Sequence, residues 1–428
     1  MRTDYPPVCL TFGVIGDLHL RGAEDEEPVR RALAVLRAQG VDAVVVTGDL
    51  AEAVSGTDRF RPFARAWDAV FPAGCGVERM VVLGERDQAG GAVAEAWFAA
   101  FGEAYAPQQT REVKGIRFVL CREPSAGLDD LSGAVRDQRV VFVVRHLPLT
   151  EHDGRIPPNV VALTGHTCRP LTDERTIRPC NGGMTADASS LFHLRASGGR
   201  ENALAPDLPS EAAVWRHMPD IAREASKSWH GLVVQTRGNG LVFRRLDLVT
   251  GRSLCTDVAV PLGAEGVAAL VRREAEWPAP QFPEGAEALV TERSGTTMSG
   301  AVERQVSVCF PAAQTPTRAF DYAVTVRYAE ADLVKTAVEK RVYSYGLFRP
   351  EDDAAIECVF GVGELPWDVA LDFEIVPRSA FGGAGAPLLA YGYVESSAAR
   401  EKRLKKERKA ALEKLAPQGG SEGKGARP

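Results

Sequence analysis

Cysteine pairs, long apolar runs and a charge excess of either sign are all missing from this chain. Its eight cysteines are scattered over 428 residues with no Cys-x-x-Cys pair, which excludes the dense disulfide framework of small secreted domains. The most apolar runs, such as Ala43 to Val46 and Val140 to Val144, are strand-sized and far short of the roughly 20 residues that span a bilayer. No transmembrane helix and no membrane partner are expected. The opening Met1 to Pro7, followed at once by Val8 to Ile15, lacks the charged start, long apolar middle and cleavage site of a secretory signal, so a cytoplasmic location is the expectation. With 51 Lys and Arg against 57 Asp and Glu the formal net charge is -6. That balance gives no basic excess for phosphate backbones and argues against nucleic acid as a partner. Oligomeric state is not encoded in any pattern found.

What is present is an ordinary core-forming composition, 45% hydrophobic and 25% charged, on a chain long enough for two domains. In the first half, short Val-rich runs alternate with amphipathic segments: Val8 to Ile15, Pro28 to Ala38, Ala43 to Val46, Phe60 to Val70, Met80 to Leu83 and Val93 to Phe101. Short apolar runs bounded by Gly and Asp read as buried strands of a mixed or parallel sheet with helices on its faces. Further strands are expected at Arg117 to Cys121, Val140 to Val144 and Val160 to Leu163, and then at Gly231 to Gln235, Gly240 to Asp247 and Leu254 to Val260.

Chemistry-bearing residues follow these runs in order. Asp17 and His19 come after the first, Asp49 after the second, Glu85 to Asp87 after the third, and His146 and His166 after two later ones. Loops at the carboxyl ends of strands in an α/β sheet form its ligand crevice, so these residues are expected on one rim. Arg145 beside His146 reads as a solvated charge, and the turn Asn181-Gly182-Gly183-Met184 as a candidate for the pocket rim. His152, His193, His217 and His230 read as loop or core histidines.

Gly16-Asp17-Leu18-His19, Gly48-Asp49, Gly84-Glu85-Arg86-Asp87, His146 and Gly165-His166-Thr167-Cys168 together resemble the calcineurin-like metallophosphoesterase family over roughly residues 8 to 260. The resemblance implies a two-layer β sandwich flanked by helices. It also implies two divalent metal ions, Mn, Fe or Zn, with Asp17, His19 and Asp49 on the first. Asp49 would bridge to the second, whose shell His146 and His166 complete. Two cations about 3.5 to 4 Å apart neutralise a phosphate ester and activate a water.

Three positions depart from the family pattern. Glu85 stands in place of Asn; it can offer an oxygen to the second metal but adds negative charge and lacks the amide N–H. Arg86 stands in place of His. A guanidinium with pKa above about 12 cannot shuttle a proton near neutrality, but it can clamp phosphate oxygens, or pair with Glu85 and close the site. Cys168 stands where a final His would ligate the first metal, and is either a thiolate ligand or a small buried residue.

A Pro-rich stretch from Trp277 to Gly285 reads as a linker. The domain expectation is residues 1–265 for the phosphoesterase-like unit, 266–285 for the linker, 286–395 for a smaller all-β sandwich and 396–428 for a charged helix with a disordered tail. Within the sandwich, Val376 to Leu388 resembles the late hairpin of fibronectin type III-like modules. The charged helix, with Glu401, Glu407 and Glu413 among its bases, reads as a solvated helix. Two functions follow: a metal-dependent hydrolase of a small-molecule phosphate mono- or diester, with Asp49 and Arg86 in catalytic roles, or a catalytically impaired relative that binds a ligand or protein.

Overall fold

The computed structural model describes residues 8–52, 56–89, 91–122, 135, 138–149, 153–167, 170–188, 229–296, 302–344, 346 and 355–415. In chain order the first half runs β1 (Val8–Ile15), α1 (Glu26–Ala38), β2 (Ala43–Val46), α2 (Arg61–Val70), β3 (Glu78–Val81), α3 (Glu85–Ala89) and α4 (Val93–Phe101). It continues β4 (Gln108–Val113), β5 (Ile116–Cys121), β6 (Val141–Val144), β7 (Val160–Thr164), β8 (Ile177–Cys180) and β9 (Gly183–Asp187). It closes with β10 (His230–Arg237), β11 (Gly240–Asp247), β12 (Val258–Pro261) and α5 (Ala264–Ala275).

These strands form two six-stranded mixed sheets, ordered β12-β11-β10-β1-β2-β3 and β4-β5-β6-β7-β9-β8. β1, β2 and β3 are parallel, as are β5, β6, β7 and β9. The sheets face each other across one core, in which Phe12 of β1 meets Phe118 of β5 at 5.1 Å and Phe142 of β6 at 4.8 Å between ring centroids. A second core lies on the other side of the first sheet, under α1, α2 and α4, with Leu33, Leu36, Phe63 and Trp97 fully or almost fully buried. α1 turns Val29, Ala32, Leu33 and Leu36 inward at helical spacing, and Gly40, with φ +68, follows its last turn in the left-handed conformation that ends many helices. Apolar packing on both faces explains why β2 and β6 read as unbroken Val-rich runs, with every residue buried.

The second half begins with β13 (Leu289–Thr296), β14 (Val302–Phe310), β15 (Asp321–Glu330) and β16 (Leu333–Tyr343). β17 (Ile356–Gly361), β18 (Ala370–Arg378), β19 (Leu388–Tyr393) and the terminal helix α6 (Ser397–Leu415) complete it. Sheets ordered β13-β14-β17 and β16-β15-β18-β19, antiparallel throughout, enclose a core of Val308, Phe310, Tyr322, Phe360 and Phe373. The fold is therefore a two-layer α/β sandwich flanked by helices, followed by a smaller all-β sandwich. No helix among the described residues is long and apolar enough to cross a membrane.

Several sequence expectations need correction. β4, β8, β9, β13 and β19 were not expected; β4, with its Gln, Arg and Glu residues, lacks the apolar signal. The Asn181–Met184 turn joins β8 to β9 at the amino end of β9, which pairs in parallel with the start of β7, so it lies at the end of the sheet away from His166. Arg145 is buried, and its Nη1 donates to Asp153 Oδ1 at 2.7 Å. His152, His193 and His217 lie outside the described residues.

His230 is a core histidine, fully buried, with Nδ1 accepting the Leu171 N–H at 2.9 Å. Burial pushes its pKa down to about 3. The unfolded chain therefore binds a proton at this residue below about pH 6.5 that the folded chain refuses. Its stabilising contribution is full above that pH and declines by up to about 1.4 kcal/mol per unit on acidification towards pH 3. Urea unfolding between pH 7 and 4 should show a shallower acid loss for His230→Gln than for the parent; parallel profiles would refute the assignment. Phe12→Ala, which opens the inter-sheet core, should cost about 3–5 kcal/mol in the same assay.

Candidate metal centre

Each loop of the site leaves the carboxyl end of a parallel strand, and both sheets contribute. After β1 and β2 the chains continue side by side through backbone bonds from Asp17 N to Gly48 O at 3.0 Å and from His19 N to Asp49 O at 2.9 Å. Asp17, His19, Asp49 and His166 all adopt positive φ, between 47° and 68°, a conformation that costs non-glycine residues of order 1 kcal/mol or more each. Gly48, at φ 102, allows close approach: a Cβ there would lie 2.5 Å from His146 Nδ1.

The side chains gather into two groups. Asp17, His19 and Asp49 form one, and Glu85, His146 and His166 the other, with the ligand atoms of each within 4.8 Å of one another. Asp49 faces both. Its Oδ2 is 3.6 Å from His19 Nε2 and 3.5 Å from His146 Nε2, while its Oδ1 accepts the Arg86 N–H at 3.0 Å. Glu85 spans the second group, with Oε2 at 3.0 Å from His146 Nε2 and Oε1 at 2.9 Å from His166 Nδ1.

The donor set fits cations. His146 Nδ1 lies 2.8 Å from the Thr47 carbonyl, which can only accept, so Nδ1 carries a proton and Nε2 is the nitrogen left to face a cation. That buried Nε2 makes no hydrogen bond of good geometry, although two carboxylates surround it. A lone pair aimed among carboxylates is the arrangement a divalent ion requires, and mixed N and O donors suit Mn, Fe or Zn.

Protonation reports the same crowding. Burial opposes charge on His146, but Asp49 and Glu85 outweigh it and hold its pKa well above the ordinary histidine value. His19 is raised likewise, with Glu52 and Asp49 overcoming burial. For Glu85 burial acts upward, yet His146 and His166 hold the carboxyl well below the usual carboxylate range.

Asp17, His19, Asp49, Glu85, His146 and His166 are thus brought together as expected, whereas Cys168 lies outside the described residues. Arg86 is exposed and, among the described residues, forms no ion pair with Glu85, which pairs with the two histidines instead. Sequence reasoning missed two carboxylates and gave a third, Asp87, no role of its own. Glu52 Oε1 lies 3.3 Å from His19 Nδ1. Asp187, at the carboxyl end of β9, accepts from Thr167 Oγ1 beside His166. Asp87, fully buried, accepts the N–H groups of Leu50 at 3.1 Å, Ala51 at 2.9 Å and Gly84 at 2.9 Å. Burial and neighbouring Asp49 push the Asp87 carboxyl up against the pull of those donors. Position after an expected strand was the available signal for Glu52 and Asp87, whereas Asp187 ends β9, a strand the sequence did not announce.

No protein-family model matches this chain, and no curated protein matches it. Among solved structures, GAP50, the anchor in the inner membrane complex of Plasmodium, is 12% identical, covering 63% of this chain and 95% of its own at a TM-score of 0.35. A dimetal phosphatase from Danio rerio is 13% identical over 60% of this chain and 100% of its own, TM-score 0.32. The purple acid phosphatase PPD1 from yellow lupin is 13% identical over 61% of this chain and 55% of its own, TM-score 0.39. Likeness at this level bears on neither activity nor substrate.

Asp87→Asn keeps the volume but sets an amide donor against backbone donors. It should cost about 1–3 kcal/mol in urea unfolding and weaken Mn binding by calorimetry at least tenfold, since Asp87 ties the Asp49 loop to the Glu85 loop. An unchanged metal affinity would show that the loops hold their places without it.

Proposed function

We propose that this chain is a metal-dependent phosphohydrolase acting on phosphate mono- or diesters of small molecules. The observation that carries the reading is the meeting of two ligand groups, from two sheets, on either side of the Asp49 carboxylate. Asp17, His19 and Asp49 would hold one divalent ion, and Asp49, Glu85, His146 and His166 the other. Cys168 is proposed as a further ligand to the first. A bound pair of such ions neutralises the phosphate and lowers the pKa of water.

The chain's own groups do the positioning. Thr47 fixes the His146 tautomer, Glu52 orients His19, and the Arg86 backbone N–H holds the outer oxygen of Asp49. The Arg86 guanidinium is exposed next to Glu85 and is assigned the clamping of phosphate oxygens. Because it cannot give up a proton near neutrality, esters with good leaving groups should turn over fastest. The unit is placed at 1–265 and a fibronectin type III-like module at 286–395; its sheets of three and four antiparallel strands support that reading.

Hydrolysis of bis(p-nitrophenyl) phosphate by Mn-loaded protein tests the proposal. Asp49→Ala should lower the rate at least a hundredfold. Equal rates in parent and variant, or none in either, would favour a retired site that binds a ligand or protein.

A further inference from the structure

The chain-wide charge of -6 hides a strongly basic element, α6. Between Arg400 and residue 411, α6 carries seven Lys and Arg against Glu401 and Glu407, and residues 400–411 are exposed except at the first turn's contacts. Only its start is anchored: Arg400 pairs with Glu292 of β13 at 3.1 Å and Arg403 with Glu395 at 3.1 Å. Further along, the pairs are internal, Arg403 with Glu407 and Lys405 with Glu401. Lys402, Lys406 and Arg408 have no carboxylate partner among the described residues. Leu404 is the one large apolar side chain between Arg400 and residue 411, and it is half exposed. A free-standing helix with this excess of like charge is relieved by a polyanion.

A second, independent feature sits beside its root. β19 is the edge strand of its sheet, and its outward positions are Leu389, Tyr391 and Tyr393, 53%, 72% and 58% exposed. Three such side chains at alternate positions form one row on the strand. Asp368 Oδ1 ties the row to the helix, accepting from the Tyr393 hydroxyl at 3.3 Å and from the Ser396 N–H at 2.8 Å. Aromatic faces beside a basic track are the two components of a single-strand binding surface: stacking for bases and cations for the backbone.

We propose that α6 and the outer row of β19 form a binding surface for single-stranded nucleic acid. An anionic membrane is the less favoured occupant, because α6 carries no aromatic anchor for the lipid interface. The surface is independent of the metal centre.

Fluorescence anisotropy of a labelled single-stranded 20-mer, titrated with the full chain across a salt series, tests it. The triple variant Lys402→Gln, Lys406→Gln, Arg408→Gln should bind at least tenfold more weakly and lower the log K against log salt slope by about 2. Tyr391→Ala with Tyr393→Ala should weaken binding several-fold with the slope unchanged. All five positions are exposed, so circular dichroism should report an intact fold. Three results would overturn the proposal: no binding at low salt, equal affinity in the triple variant, or tighter binding to phosphatidylserine vesicles than to the oligonucleotide.

Discussion

Hydrogen bonds between the two large sheets at their carboxyl rim are the constraint on which the site depends. The Asp17 carboxylate of one sheet accepts the His166 N–H of the other at 3.0 and 3.1 Å, and the Thr47 carbonyl receives His146 Nδ1–H at 2.8 Å. These bonds cross the same interface that Phe12, Phe118 and Phe142 fill lower down. Apolar packing brings the sheets together, and the polar bonds fix how the loops above them meet. Without that register, Asp17, His19, Asp49 and Glu85 on one sheet would not meet His146 and His166 on the other.

The rim is costly in two ways. Several loop residues hold left-handed backbone conformations, which persist because neighbouring backbone groups over-determine them. Asp17, Asp49 and Asp87 are also buried close together, and mutual repulsion among carboxylates is ordinarily avoided. The surrounding carboxylates hold His19 and His146 above the ordinary histidine value, so the cluster favours positive charge. Glu85, in reach of both histidines, adds a further carboxylate to the cluster.

The second half works by a different logic. Its sandwich encloses a core of its own and carries its charge outside, on α6. Net charge over the whole chain says little about such an arrangement, because electrostatic attraction to a polyanion is set within a Debye length of about 8–10 Å. Acidic residues elsewhere on the chain do not cancel an exposed basic helix.

The order of strands and helices in the first half was readable from the sequence because buried parallel strands, such as Ala43–Val46 and Val141–Val144, leave unbroken apolar runs. The six positions that cluster at the rim were readable because each follows such a run by two to four residues. β4 and β8 were not, since an edge strand with one wet face shows mixed polarity. Nor were the fates of the charges. Nothing in the neighbouring residues distinguishes Arg145, buried on Asp153, from Arg86, exposed beside the site. The same holds for Glu85, which turned to two histidines rather than to the arginine next to it. Local pattern determines which residues leave a strand at its carboxyl end. Which of them meet, and with which partner, was decided only when the two sheets packed, because those contacts join positions up to 149 residues apart.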